Sequence, residues 1–396
     1  MSTVAEKALL CAPADPSPAA SETMVAVARN HGVSPFRQMR EMAAMRFGPG
    51  KLANHEYYST GVFDPEISVE DKKRYVGKIG SYEINVAASP MKLTESRAFL
   101  RDKVMYTSLL KQLDLPTTET QAVVHSDRMF GSLPVLRRVA DVEGFLRNAA
   151  RYPLFVKPCE GAGSVGSALI KSCDGDVLSL GNGRQADVAG FAQEVVEDYP
   201  EGFIFQTAVA QHPDLVQMTG EAVGTMRVVT TRDESGIAPL YTVWKIPSPR
   251  AMSDNFWQSG SMVALIDDET GKVKRCNIGS GLNAKLLENH PVSNMQFEGF
   301  QVPHWDQIQR IACEGHGLFP EFGIVGWDIA VGPDGPIIIE CNDNPYHVLW
   351  QLAAGQGIKT PAFEARLKAA NAQSQSILRN KIDTFQAREK AKRRKS

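Results

Sequence analysis

The chain has 396 residues, 43% of them hydrophobic and 22% charged, and a formal net charge of −2. That length can bury two or three cores, and the composition is ordinary for a globular protein. The near-neutral balance excludes a global field for nucleic acid, no apolar run reaches the eighteen residues of a membrane span, and the N-terminus lacks the basic-then-apolar pattern of a signal peptide.

Residues 1–22 are rich in Ala, Ser and Pro and are expected to be disordered. Residues 23–93 are expected to form a helical cap. Ser34 suits a helix N-cap and Pro35 the first turn. Phe36, Met39, Met42 and Ala43 recur at helical spacing and are expected to face a core. Residues 48–90, with Tyr57, Tyr58 and Tyr75, suggest no role beyond packing on the rest of the chain.

A first α+β unit is expected over 94–201. One helix spans 94–113 and carries Lys103, which by itself reads as a solvated lysine. Residues 118–152 read as a strand and a helix. Leu154-Phe155-Val156-Lys157-Pro158 is a strand ending in a lysine. Glu160 to Ser167 follow as a glycine-rich hairpin (Gly161, Gly163, Ser164, Val165, Gly166), then a strand over Ala168–Lys171. Closely spaced glycines let successive N–H groups point at one anion, and Lys157 would add a charge to the same phosphates. An ordinary tight turn has the same composition. The segment is neither the P-loop nor the dinucleotide pattern, because no Gly-Lys-Ser/Thr ends it and a strand follows. Residues 176–187 read as a polar loop.

A second unit is expected over 202–360. Strand-like runs at 203–209, 223–231, 238–246, 261–266 and 326–340 suggest an antiparallel sheet. Arg227 and Lys245 sit inside these runs, either at the surface or turned inward toward phosphate or carboxylate. Asp254-Asn255 reads as turn chemistry in a Ser/Pro-rich loop, residues 277–283 as a flexible stretch near a substrate, and His304–Leu318 as a helix. Residues 361–396 form a polar helix with a basic end, a solvated tail that leaves open contact with an anionic membrane surface.

Gly326 to Asn342 read as a hairpin. Two apolar runs flank the turn Gly332-Pro333-Asp334-Gly335-Pro336. With Val331 opposite Ile337, Asp328 falls opposite Glu340, and Asn342 projects from the same face. Two facing carboxylates repel unless a cation lies between them, and three oxygen donors suit Mg²⁺. Alternatively the acids face solvent. The six cysteines (Cys11, Cys159, Cys173, Cys276, Cys313, Cys341) have no Cys-x-x-Cys spacing and read as free thiols of a reducing cytoplasm.

Val156-Lys157-Pro158, the Gly-Ser-Val-Gly loop, and Asp328 with Glu340-Cys341-Asn342 resemble the ATP-grasp superfamily, and the loop is similar to that of D-alanine–D-alanine ligase. Gln211-His212-Pro213, Thr225 to Thr230, Asp254-Asn255 and Gly326-Trp327-Asp328 resemble the sugar-transfer-associated members. The likeness covers about residues 95–360. It implies an α+β fold in which two subdomains with antiparallel sheets grip ATP. It also implies ATP contacts at Lys103, Lys157, Gly161, Gly163, Ser164, Val165, Gly166, Gln206 and Val209, and Mg²⁺ on Asp328, Glu340 and Asn342. The implied reaction joins a carboxylate to an amine through an acyl phosphate, in cell-surface polysaccharide or related bacterial metabolism; a phosphotransferase or a non-catalytic nucleotide binder are the alternatives. Many relatives carry an arginine two residues before the first metal carboxylate. Gly326 stands there, so Arg227 or Lys245 is expected to neutralise the acyl phosphate.

Overall fold

The computed structural model describes residues 20–91, 93, 97–160, 166–249 and 251–393. The chain opens with a helical cap of α1 (Ala20–His31), α2 (Pro35–Phe47), α3 (Asn54–Ser59), α4 (Val69–Lys72) and α5 (Lys78–Ala88). Next come α6 (Arg97–Arg101), α7 (Lys103–Gln112), β1 (Thr120–Val124), β2 (Val135–Leu136) and α8 (Val139–Asn148). They are followed by β3 (Leu154–Pro158), β4 (Ala168–Asp174), β5 (Val177–Leu180), β6 (Gln185–Asp187), α9 (Val188–Asp198) and β7 (Phe203–Thr207). The second half holds α10 (Pro213–Thr219), β8 (Thr225–Asp233), β9 (Gly236–Ile246), β10 (Met262–Ile266), β11 (Val273–Ile278) and β12 (Lys285–Leu287). It ends with α11 (Trp305–Gly317), β13 (Ile324–Gly332), β14 (Gly335–Asn342), α12 (Val348–Ala354) and α13 (Pro361–Arg393).

Two seven-stranded sheets result, in the orders β2-β1-β7-β3-β4-β5-β6 and β12-β11-β10-β9-β8-β13-β14. Apart from the parallel β1–β2 pair, neighbouring strands run antiparallel. In the first sheet, Leu154 and Val156 of β3 and Phe203 and Phe205 of β7 pack against Phe145 of α8 and Phe191 of α9. Period-two alternation then sends Phe155, Lys157 and Gln206 to the opposite face. In the second sheet, Met226, Val228, Trp244, Trp327 and Ile338 pack with Ile308 and Ile311 of α11. The other face holds Val229, Tyr241, Val243 and Val263, and packs with Trp350 of α12, Val76 and Ala88 of the cap, and Ala370 of α13.

The cap is fastened to the second sheet by polar groups as well. Gln351 of α12 accepts from Val76 N at 2.8 Å and donates to Val76 O at 2.9 Å. Arg366 of α13 donates to Thr231 of β8 at 2.9 Å, and Ser374 donates to the Ala88 carbonyl of α5.

Several elements differ from the sequence reading. The helix expected over 94–113 is two helices, because Asp102 accepts from Val104 N and Met105 N and so caps a new one at Lys103. The polar stretch 176–187 contains β5 and β6, which extend the first sheet as a meander. The run after Gly202 becomes β7 at the middle of the first sheet, because it pairs with both β1 and β3. Ser34 does cap α2, but Phe36 and Met39 are exposed. The buried stripe is Gln38 and Met42, one step round the helix. Gln38 is drawn inward because its amide donates to Val33 O and Met24 O and accepts from Tyr58. Residues 277–283 lie away from the site; Asn277 is tied to the Leu352 carbonyl of α12.

Candidate active site

The two sheets and the cap enclose a cavity of about 980 Å³. That is at the upper end of the range for small-molecule sites. Its walls bring together most of the residues singled out in the sequence. Lys103, Lys157, Gln206, Val209, Arg227, Lys245, Asp254, Asn255, Asp328, Glu340 and Asn342 all line it. Gly161, Gly163, Ser164 and Val165 lie outside the described residues; Gly166 adopts a left-handed φ of 75°. A side chain there would run into Tyr199, so the turn into β4 requires glycine.

The hairpin reaches its expected pairing by a different register. Val331 faces Pro336, not Ile337, because only Pro333 and Asp334 separate the paired Gly332 and Gly335. A bulge at Ile339 then restores the register, so Asp328 faces Glu340 and Gly326 faces Asn342. The bulge leaves the Ile339 carbonyl off the ladder, and the Tyr106 hydroxyl donates to it at 3.1 Å. This contact, with Ile338 N donating to Pro116 O at 2.9 Å, pulls α7 onto β14. Lys103 consequently sits 3.7 Å from Glu340 and within 3.4 Å of the Cys159 carbonyl.

Asp328 is 3% exposed and directly opposite Arg227 of β8. Arg227 donates from Nε to Oδ1 at 2.5 Å and from Nη2 to Oδ2 at 2.8 Å, while Lys245 Nζ lies 3.1 Å from Oδ2. Lys245 also pairs with Asp254 at 2.8 Å, and Thr225 donates to the same carboxylate. Burial alone would push the Asp328 carboxyl up; Arg227 and Lys245 outweigh it and hold the group below the usual carboxylate range. Burial alone would lower the pKa of Lys245, and Asp254 and Asp328 instead raise it. Lys157 is the converse case. Desolvation lowers it to about 8, against the opposing pull of Glu340.

Gly326 also has a packing reason. A Cβ there would lie 2.9 Å from the Pro345 Cβ. The guanidinium beside Asp328 comes from the neighbouring strand, from Arg227.

The Mg²⁺ donors can be tested against this geometry. A carboxylate offers about four lone-pair sites. Arg227 and Lys245 use three of those on Asp328, leaving one on Oδ1. Asn342 has a buried Nδ2 with no hydrogen-bond partner among the described residues. The amide oxygen and nitrogen are interchangeable in assignment, so its oxygen can occupy that place. Glu340 is half-buried beside it. The set therefore fits a hard cation. Among the described residues, no group of three or more His, Cys, Asp or Glu forms a metal cluster, consistent with a site of two carboxylates and one amide.

Other lining residues escaped the sequence reading. Lys171 of β4 lines the cavity with Leu169, and strand alternation from Leu169 would have found it. Thr118 accepts from Gln206 Nε2 at 2.9 Å, turning that amide away from any ligand it could reach directly with its N–H groups. Trp257, Asn344, Tyr346 and the cap residues Lys78 and Ser81 have no local signal, because only the tertiary fold brings them here.

The fold is that of an ATP-grasp protein. The chain belongs to the sugar-transfer associated ATP-grasp family, whose profile matches residues 90–365. No curated protein sequence matches the chain. Among solved structures, the D-alanine–D-alanine ligase from Coxiella burnetii is similar at 13% identity and a TM-score of 0.44, over 75% of this chain and 63% of that one. The biotin carboxylase from Campylobacter jejuni is similar at 10% identity and a TM-score of 0.42, over 70% and 47%. The L-amino acid ligase from Bacillus licheniformis is similar at 12% identity and a TM-score of 0.37, over 72% and 49%. The chain spans less than two thirds of the length of each. No helix among the described residues is long and apolar enough to cross a membrane, and the five described cysteines are unpaired.

Proposed function

We propose that the protein is an ATP- and Mg²⁺-dependent ligase that joins a small-molecule carboxylate to an amine through an acyl phosphate. The observation that carries this is one cavity in which four buried cations, Lys103, Lys157, Arg227 and Lys245, face Asp254, Asp328 and Glu340. Buried ammonium and guanidinium groups clustered in one cavity suit a polyphosphate.

In this reading the triphosphate lies against Lys103 and Lys157, and the base lies along Gln206–Val209; Gly161, Gly163, Ser164 and Val165, expected from the sequence to contact it, lie outside the described residues. Glu340, Asn342 and the remaining lone pair of Asp328 would hold Mg²⁺, which when bound neutralises charge on phosphate oxygens. The substrate carboxylate attacks the γ-phosphorus in line, forming an acyl phosphate and releasing ADP. The amine then adds to the acyl carbon and expels phosphate. Arg227 and Lys245 face the charge that develops on the transferred group, so the protein contributes mainly positioning and charge neutralisation. The division into a cap (23–93), two subdomains (94–201 and 202–360) and a C-terminal helix belongs to the same proposal, as do a cytoplasmic location and a role in cell-surface polysaccharide or related bacterial metabolism; the family's description, sugar-transfer associated, supports a link to sugar transfer only. The basic end of α13, proposed above as a membrane contact, lies partly outside the described residues.

The test is calorimetric titration of the full chain with ATP and Mg²⁺, for the wild type and Glu340→Gln, followed by a screen of acids and amines for ADP release. Mg²⁺-dependent binding weakened by the substitution supports the reading. Absence of ATP binding in both proteins overturns it. A stable phosphorylated product without an amine assigns phosphotransfer instead.

A further inference from the structure

The cap reaches the cavity through Lys78 and Ser81 of α5, whose side chains have no polar partner among the described residues. Ser81 of α5 is 2% exposed, lines the cavity, and its hydroxyl has no hydrogen-bond partner among the described residues. A buried hydroxyl without a partner costs free energy unless something arrives to meet it. Lys78, one turn earlier on the same helix face, also lines the cavity, and it makes no ion pair among the described residues.

A buried polar chain sets the third donor. Burial lowers the His347 pKa to about 3, so the ring is neutral. Tyr241 OH lies 2.9 Å from His347 Nδ1, and His347 Nε2 lies 3.1 Å from Asn85 Oδ1. Asn85 Nδ2 donates to Asn344 Oδ1 at 2.5 Å and to Pro345 O at 3.0 Å. Because Asn85 spends its N–H groups there, its oxygen must accept from His347 Nε2–H, and Nδ1 must accept from Tyr241. The chain runs one way and ends on the Asn344 oxygen. The Asn344 N–H groups are left for the cavity. An ammonium, a hydroxyl and an amide N–H, each able to donate, thus line the part of the cavity that α5 and Asn344 form. Beside them Trp257 and Tyr346 form a wall, their rings 6.2 Å apart. Glu56 also lines the cavity; its Oε1 accepts from Tyr346 OH and Lys78 N and its Oε2 from Ala53 N, so its lone pairs are engaged by these donors while its charge remains.

We propose that this part of the cavity is a subsite for a carboxylate group of the co-substrate, bound by Lys78, Ser81 and Asn344, with the rest of that molecule against Trp257 and Tyr346. The assignment rests on the ligase reading for its place in the reaction, and on the donor set for its chemistry. It makes the helical cap a specificity element.

The experiment titrates the full chain, saturated with a non-hydrolysable ATP analogue and Mg²⁺, with acetate, L-alanine, succinate and D-glucuronate. D-Glucose is the uncharged control. At least one carboxylate is expected to bind, and glucose is not. Lys78→Met and Ser81→Ala each lose about tenfold or more of that affinity, the scale of a hydrogen bond to a charged group, while affinity for the nucleotide stays within about twofold. Lys78 is exposed and Ser81→Ala only removes an oxygen, so both variants keep the fold. Absence of carboxylate binding in the wild type, or binding undiminished in both variants, overturns the proposal. Carboxylate binding in a protein that binds no nucleotide leaves the subsite standing and removes the ligase reading instead.

Discussion

Replacing Asp328 with asparagine tests the charge arrangement at the centre of the site. The side chain keeps its shape and loses its charge. Arg227, 9% exposed, then retains no carboxylate partner among those shown, whereas Lys245 keeps Asp254 at 2.8 Å. Breaking a buried pair from one side costs about 3–5 kcal/mol. The surviving Lys245–Asp254 pair places the loss at the lower end, about 3 kcal/mol. For a chain of this length that is a melting shift of about 4 °C if the whole chain melts together, and about 7 °C if only half does. The assay is thermal unfolding of the ligand-free protein by calorimetry. Arg227→Met and Arg227→Met/Asp328→Asn complete a double-mutant cycle, because removing both charges relieves the stranded cation. The double variant is expected to be at least about 1 kcal/mol more stable than the sum of the single ones. If Asp328→Asn melts within about 1 °C of the wild type, or the two substitutions add, the buried bidentate pair described here is wrong.

Two other outcomes follow from the geometry. With Lys157 lowered to about 8, about half of these side chains are neutral at pH 8 in the free protein, and a bound polyphosphate re-protonates them. Nucleotide binding should then take up about half a proton at pH 8 and weaken as pH rises further, measured by calorimetry in buffers of different ionisation enthalpy. Zero uptake, or uptake unchanged in Lys157→Met, contradicts this. Gln351, 1% exposed, satisfies the N–H and C=O of Val76. Gln351→Ala strands both and should cost about 2–4 kcal/mol in urea unfolding; a loss below about 0.5 kcal/mol would mean the cap is held by apolar contact alone.

The parts of the fold that could be read from the sequence are those with local chemistry. Gly332 to Pro336 carry enough turn signal to place the hairpin, and β-alternation around Lys157 and Arg227 points both into the cavity. Even there the register was reached through two compensating offsets, a tighter turn and the Ile339 bulge, neither of which periodicity reveals. The stripe on α2 misled because hydrophobicity favours Met39 over Gln38, while the structure buries Gln38 for its hydrogen bonds to Val33, Met24 and Tyr58. The role of residues 48–90 could not be read at all. Lys78 and Ser81 matter only because α5 is held against Asn344, more than 250 residues away in the chain.

The core shared by the cap, α12, α13 and the second sheet has a mechanical consequence. Helix α13 ties β8 to α5, and Gln351 ties α12 to the segment before α5, so these parts travel as one block. The first sheet joins that block through two stretches of chain, 113–119 and 208–212. Val104 of α7 also packs on Val123 and Ile204 of that sheet, so any change in the width of the cavity moves the first sheet against the block through these contacts. Such a movement carries Lys157 toward or away from Glu340 and alters the grip on phosphate. Lys78, Ser81, Asn344 and Tyr346 all ride on the block, so their spacing stays constant through the motion. One part of the cavity is a vice, and another is a fixed gauge.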